Sequence, residues 1–146
     1  MEGYRDGNIK EVRVIYADTD AMGIVYHTNY IKWFEIGRTE MLRSIGIIYA
    51  KMESFEFNLP LSKAFCRYLA SARFDDVLLV ETDIAEIKKA SIRFVYCIWN
   101  DNMTKKYVEG YTLHACATRD GRLNRFPIEF SSKVEDYLAG RNKDGR

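Results

Sequence analysis

The chain has 146 residues, the length of one ordinary domain. Its 22 Lys+Arg against 21 Asp+Glu leave a formal charge of +1, which argues against nucleic acid as the main partner. An apolar fraction of 47% with 14% aromatic residues suits a packed core, while apolar runs such as Val77–Val80 and Phe94–Trp99 are too short to span a bilayer.

In chain order, residues 9–16 alternate, with Val12, Val14 and Tyr16 on one face and Glu11 and Arg13 on the other, which predicts a strand. Residues 17–28 read as a loop. A helix follows, capped by Thr28 or Asn29, running to about Ile45 and stopped by Gly46. Tyr30, Trp33, Phe34, Gly37, Met41 and Ile45 form its apolar stripe, more core than acyl pocket. Gly37 costs helix stability, so a close approach to a sheet is expected there. Residues 47–55 read as ambiguous, with a short second helix as one option.

The second half turns to strands. Pro60, within 56–70, suggests an edge, a bulge or a strand start. Residues 77–88 alternate Leu78, Val80, Thr82 and Ile84 against Glu81 and Asp83. Residues 90–99 place Ile92, Phe94, Tyr96 and Ile98 on one face, 100–105 turn, and 106–119 form another strand. Asp120-Gly121 is a hairpin signal, and Pro127 opens a short closing helix that ends before Gly140, with a frayed tail. Short connections between successive strands predict a mostly antiparallel sheet with one helix across a face, an α+β fold of five strands in a single domain.

Cys66, Cys97 and Cys116 stand far apart and read as buried apolar side chains. Together with the charged N-terminal stretch, which lacks the apolar run of a signal peptide, they suit a reducing, cytoplasmic compartment.

The densest segment is YADTDAMGIVYHTNYIKWFEIGR, residues 16–38. It sets Asp18 and Asp20 ahead of His27 and a helix start, where unpaired N–H groups and a positive dipole end are found. The pattern Y-x-D-T-D-x-x-G-I-V-Y-H-x-x-Y-x-x-W-F-E-x-x-R resembles the signature of the hotdog-fold acyl-CoA thioesterases, closest to the 4-hydroxybenzoyl-CoA and Tol-Pal-associated branches. FDDVLLVET at 74–82 and IKKASIRFVY at 87–96 extend the resemblance over about residues 10–130.

The resemblance implies a hotdog fold, one long helix wrapped by a curved sheet, and hydrolysis of an acyl-CoA to a free acid and coenzyme A. It implies a homodimer or homotetramer with the site at the subunit interface, and no metal or other cofactor. It makes Asp20 the catalytic acid, as nucleophile or general base, and the His27 backbone amide the donor that polarises the carbonyl. The residues themselves are compatible with this: with Gly23 allowing a tight turn, N–H groups near Tyr26, His27 and Thr28 can face the Asp20 carboxylate. The role of the His27 side chain stays open.

Asp18 reads as a hydrogen-bonding scaffold in preference to a metal ligand. Glu35 reads as an ion-pair partner of Arg38, and as a fallback acid because another hotdog branch uses a helix glutamate. Lys88 and Lys89 resemble a contact for the coenzyme A phosphates; as residues they fit a solvated strand end equally well. His114 reads as structural or solvent-facing. The rival functions are a hotdog dehydratase and a non-catalytic acyl-CoA binding module.

Overall fold

The computed structural model describes residues 7–48, 51 and 57–143. The first strand, β1 (Asn8–Arg13), leads through a short 3-10 turn at Tyr16–Asp18 into helix α1 (Thr28–Ser44). The strands that follow are β2 (Phe57–Asn58), β3 (Leu61–Tyr68), β4 (Val77–Ile87), β5 (Ser91–Asn100), β6 (Lys106–Ala115) and β7 (Ala117–Thr118). Helix α2 (Ile128–Lys143) closes the described chain. The main sheet has the order β1-β4-β5-β6-β3, antiparallel throughout, and β2 pairs with β7 beside it.

The apolar stripes meet as their spacing requires. Tyr30, Trp33, Phe34 and Met41 of α1 are buried against Leu78, Val80 and Ile84 of β4 and Ile92, Phe94, Tyr96 and Ile98 of β5. Phe34 stacks on Tyr96 with ring centroids 4.1 Å apart. Gly37 marks the closest approach: a Cβ there would strike Thr82 Oγ1 and lie 2.9 Å from Val80 Cγ1. Gly110 in β6 has the same function, since a Cβ would strike the Phe65 carbonyl and press on the Phe34 ring at 3.1 Å. These contacts hold α1 low across the sheet, and packing of its face supplies most of the helix's stability.

Several sequence expectations need correction. Strand β1 stops at Arg13, and Tyr16 is exposed, because the chain turns away into the 3-10 segment. Neither Thr28 nor Asn29 caps α1 with its side chain; His27 occupies the N-cap, and the Asn29 amide is turned back to Asp18. Glu81 and Asp83 fall on the face opposite Leu78, Val80 and Ile84, as the alternation has it, yet both are buried. Glu81 accepts the Trp99 indole N–H at 3.0 Å, and Asp83 accepts the Tyr137 hydroxyl at 2.6 Å. The strand expected over 106–119 breaks at Cys116, and α2, at 16 residues, runs through Gly140. Most of 47–55 and the end of the tail, 144–146, lie outside the described residues.

Other expectations match. Gly46 ends α1 with a positive φ of 89°, Gly121 turns with φ 87°, and Pro60 stands at the start of β3, an edge strand with a register shift between Leu61 and Lys63. No disulfide joins the cysteines; Cys97 and Cys116 are buried and Cys66 is half-buried. Every residue of β3 except Cys66 is exposed. No described helix is long and apolar enough to cross a membrane.

Candidate active site

The loop between β1 and α1 is organised by Asp18. Its Oδ2 accepts the Ile15 N–H at 3.0 Å and its Oδ1 accepts the Lys32 ammonium at 2.8 Å. Its carbonyl accepts the Tyr26 N–H and the Asn29 side-chain amide, both at 2.8 Å. One buried residue thus fastens the entry to the loop, its exit and the first turns of α1. Each of its oxygens faces at least one donor, which is how a buried carboxylate is accommodated. The scaffold role read from the sequence is the one the geometry gives it.

Asp20 stands at the tip of the hairpin that Asp18 closes. Thr19 bridges Val25 in antiparallel fashion, and the Asp20 N–H donates to the Ile24 carbonyl at 2.9 Å. Gly23 takes φ 80° and returns its N–H to the Asp20 carbonyl at 3.0 Å, a turn that L residues adopt only with strain. Asp20 Oδ1 accepts the Met22 N–H at 2.8 Å and the Ile24 N–H at 3.4 Å. Oδ2 has no hydrogen-bond partner among the described residues. The carboxylate is therefore oriented through one oxygen and open at the other.

The helix start has the complementary character. Asn29 donates to the Tyr26 carbonyl at 2.9 Å and Tyr30 to the His27 carbonyl at 3.3 Å. The N–H groups of His27 and Thr28 have no acceptor among the described residues, as the first turn of a helix leaves them. The Tyr26 N–H, which the sequence grouped with these two, is occupied by Asp18. What Tyr26 offers instead is its half-exposed ring, which lies against the His27 imidazole at 4.6 Å.

The remaining candidates lie elsewhere. Glu35 is exposed on α1, two turns beyond its start, and pairs with Arg38 at 3.6 Å. Lys88 and Lys89 follow the far end of β4. The Val77 end of that strand pairs with Arg13, just before the Asp18 loop, and its Ile87 end lies about 33 Å away at the rise of an extended strand. There the two lysines line a cleft of about 370 Å³ with Arg125, Phe126, Ser131 and Glu135. One chain does not bring them to Asp20. Among the described residues, no three His, Cys, Asp or Glu side chains gather as metal ligands.

A family model described as the thioesterase-like superfamily matches residues 14–134. The chain belongs to the thioesterase-like superfamily. It is 30% identical over 133 residues to a Helicobacter pylori protein named acyl-CoA thioesterase YbgC, covering 87% of this chain and 96% of that one. It is 38% identical over 93 residues to an Escherichia coli acyl-CoA thioester hydrolase YbgC, covering 64% and 69%. Among solved structures it is similar to a DHNA-CoA thioesterase from Staphylococcus aureus, with a TM-score of 0.88, 25% identity and coverage of 96% and 95%. It is likewise similar to a hypothetical protein from Aquifex aeolicus, with a TM-score of 0.81, 31% identity and coverage of 87% and 98%. The fold is the hotdog fold, as the motif led one to expect.

In this thioesterase-family chain the sequence also hid partners that only tertiary structure reveals. Lys32 and Asn29 carry no motif of their own, yet both hold Asp18. Arg125 joins Lys88 and Lys89 because the Phe126 N–H docks on the Lys89 carbonyl at 3.0 Å, a pairing across 37 residues that leaves no local signal. Tyr68, at the end of β3, reaches the His27 carbonyl with its hydroxyl at 3.4 Å. His114, by contrast, is a satisfied core residue. Its ring nitrogens meet the Leu59 carbonyl at 3.1 Å and Thr112 Oγ1 at 2.9 Å, and burial pushes its pKa down to about 4.

Proposed function

We propose that the protein is an acyl-CoA thioesterase that hydrolyses an acyl-CoA to a free carboxylic acid and coenzyme A, with Asp20 as nucleophile or general base. One observation carries the reading: the open oxygen of Asp20, Oδ2, stands on a fastened loop beside a helix start with two unoccupied N–H groups. A thioester carbonyl placed there would meet a positive helix end at its oxygen and a carboxylate, or a water held by it, at its carbon. As the C–S bond breaks, the sulfur leaves as a thiolate and takes up a proton. The reaction uses water alone, so the proposal calls for no metal or cofactor beyond the coenzyme A of the substrate.

Lys88 and Lys89, with Arg125, supply the cations that phosphates require. Because they lie at the wrong end of their own chain, the proposal includes a homodimer, with dimers pairing into a homotetramer. Among the described residues no strand pairs with the outer side of β3, and a second copy added antiparallel along it would set the Leu61 end of one β3 against the Tyr68 end of the other. The Leu61 end is also the Ile87 end of the sheet. That symmetry brings the partner subunit's Lys88 and the partner subunit's Lys89 to the end that carries Asp20. We place the protein in the cytoplasm, where three thiols outside any disulfide are at home.

The test is thiol release from a panel of short aliphatic, medium-chain and aromatic acyl-CoAs, with the wild type beside Asp20→Asn. The substitution should lower kcat by about 10²-fold or more, the scale for loss of a positioned acid-base or nucleophilic group. Full activity in Asp20→Asn would move the chemistry to Glu35. Coenzyme A binding without thiol release on any substrate would favour a binding module instead.

A further inference from the structure

Tyr68 approaches the candidate carbonyl-binding backbone from outside the loop and outside the helix. It is the last residue of β3, and its hydroxyl donates to the His27 carbonyl at 3.4 Å. Its ring stands edge-on to the His27 imidazole at 6.2 Å and packs against Tyr30 at 5.7 Å. Tyr30 in turn is buried, and its own hydroxyl accepts the Ala72 N–H at 3.2 Å. The edge strand is thereby braced against the first turn of α1 through two tyrosines.

The chemical consequence follows from the peptide that Tyr68 touches. The His27 carbonyl and the Thr28 N–H belong to one planar unit and point in opposite directions. A donor on the oxygen holds the plane of that peptide, and so the direction of the Thr28 N–H. It also draws electron density through the amide, which strengthens the N–H as a donor. The Tyr30 N–H, at 3.3 Å, is already on the same oxygen, and the tyrosine adds a second proton from the sheet side. A phenol keeps its proton at neutral pH, and burial together with a hydrogen bond to Cys66 pushes the Tyr68 hydroxyl further up, to about 12.

We infer that Tyr68 is a positioning residue for thioester cleavage, acting through the His27–Thr28 peptide to aim and strengthen the Thr28 N–H, a second donor to the substrate carbonyl beside the His27 N–H. This rests on the acyl-CoA thioesterase reading proposed above. It adds a residue from β3, about 40 residues downstream in the chain, to a carbonyl-binding centre whose other parts lie between Asp20 and Thr28.

Two measurements on the full-length protein test it. In steady-state thiol release, Tyr68→Phe should lower kcat by about tenfold, short of the ~10²–10³-fold that follows deletion of a direct oxyanion donor. KM should stay within about twofold, since the hydroxyl acts in the transition state rather than on uniform binding. The melting temperature should be unchanged. In the second measurement, an acyl-CoA found to be a substrate is bound to Asp20→Asn, and its thioester carbonyl stretch is read by difference infrared spectroscopy. Binding should lower the frequency, and adding Tyr68→Phe should reduce that shift. An unaltered kcat, or an identical shift with and without the hydroxyl, overturns the role of Tyr68 and leaves the helix-start reading standing. Absence of any shift in Asp20→Asn alone overturns the helix-start reading itself.

Discussion

At the Asp20 end of the sheet, the loop between Ile15 and Tyr30 is fastened by hydrogen bonds within the chain, and its open groups include a carboxylate oxygen and the N–H groups of His27 and Thr28. At the Lys88 end, three cations stand around an open cleft on long side chains. The difference teaches what each end can contribute. Chemistry on a carbonyl needs atoms held in place before the substrate arrives, and a shared network of backbone hydrogen bonds does that. Holding a phosphate needs charge more than angle, and mobile lysines suffice. The first end should therefore govern kcat and the second KM.

The sharpest way to break this contrast is Asp20→Asn, whose loss of about 10²-fold or more should fall on kcat while the urea midpoint stays put. Next comes Asp18→Ala. It leaves the Lys32 ammonium without its partner and strips an acceptor from the Ile15 N–H, so stability should fall by about 2–3 kcal/mol in urea titration. Activity should fall with it, because the hairpin that carries Asp20 loosens. Removing the far cations together, as Lys88→Ala, Lys89→Ala and Arg125→Ala, should raise KM about tenfold with kcat preserved, an effect that added salt diminishes. Mixing that triple variant with Asp20→Asn provides a further check. If each site takes its acid from one subunit and its cations from the other, hybrid dimers regain an intact site, and the mixture should outperform either parent. No gain on mixing would confine each site to one chain.

A further expected effect concerns pH. His114 titrates at about 4 in the folded protein against 6.5 for the free side chain, held neutral by burial and by the charge of Arg38. The unfolded chain therefore binds more protons between these values. Its contribution to stability is complete above about pH 6.5 and declines as the pH falls toward 4. Urea midpoints measured across that window should drop, and His114→Gln should flatten the His114 part of the slope.

Much of this architecture could be read from residue order, and the reasons differ from place to place. The stripe on α1, the alternation in β4 and β5, and the mid-helix Gly37 are local patterns enforced by a single apolar interior. The scaffold work of Asp18 was legible because a short carboxylate in a turn finds loose backbone N–H groups, whereas the role given to Asp20 came from the resemblance of the motif. What stayed hidden depended on distant partners. Glu81 and Asp83 alternate as solvent-facing acids should, but Trp99 and Tyr137 supply donors from other elements and allow them to be buried. Tyr26 lost its N–H to a carbonyl eight residues earlier. That Lys88 and Lys89 stand at the strand end remote from Asp20 of the same chain depends on the antiparallel register of β1 on β4, which the residues after β4 do not signal.

Gly37 and Gly110 give the molecule one more property. The gap between α1 and the sheet is set by missing atoms at two positions, one on the helix and one on the strand facing it. A gap defined that way is already at its lower limit, so a side chain added at either position must push the helix or the neighbouring strand aside. Variation has room instead at exposed positions such as Tyr16, Met22 and Phe74, which project into solvent. A chain of this design can change its surface while the helix keeps its close seat on the sheet.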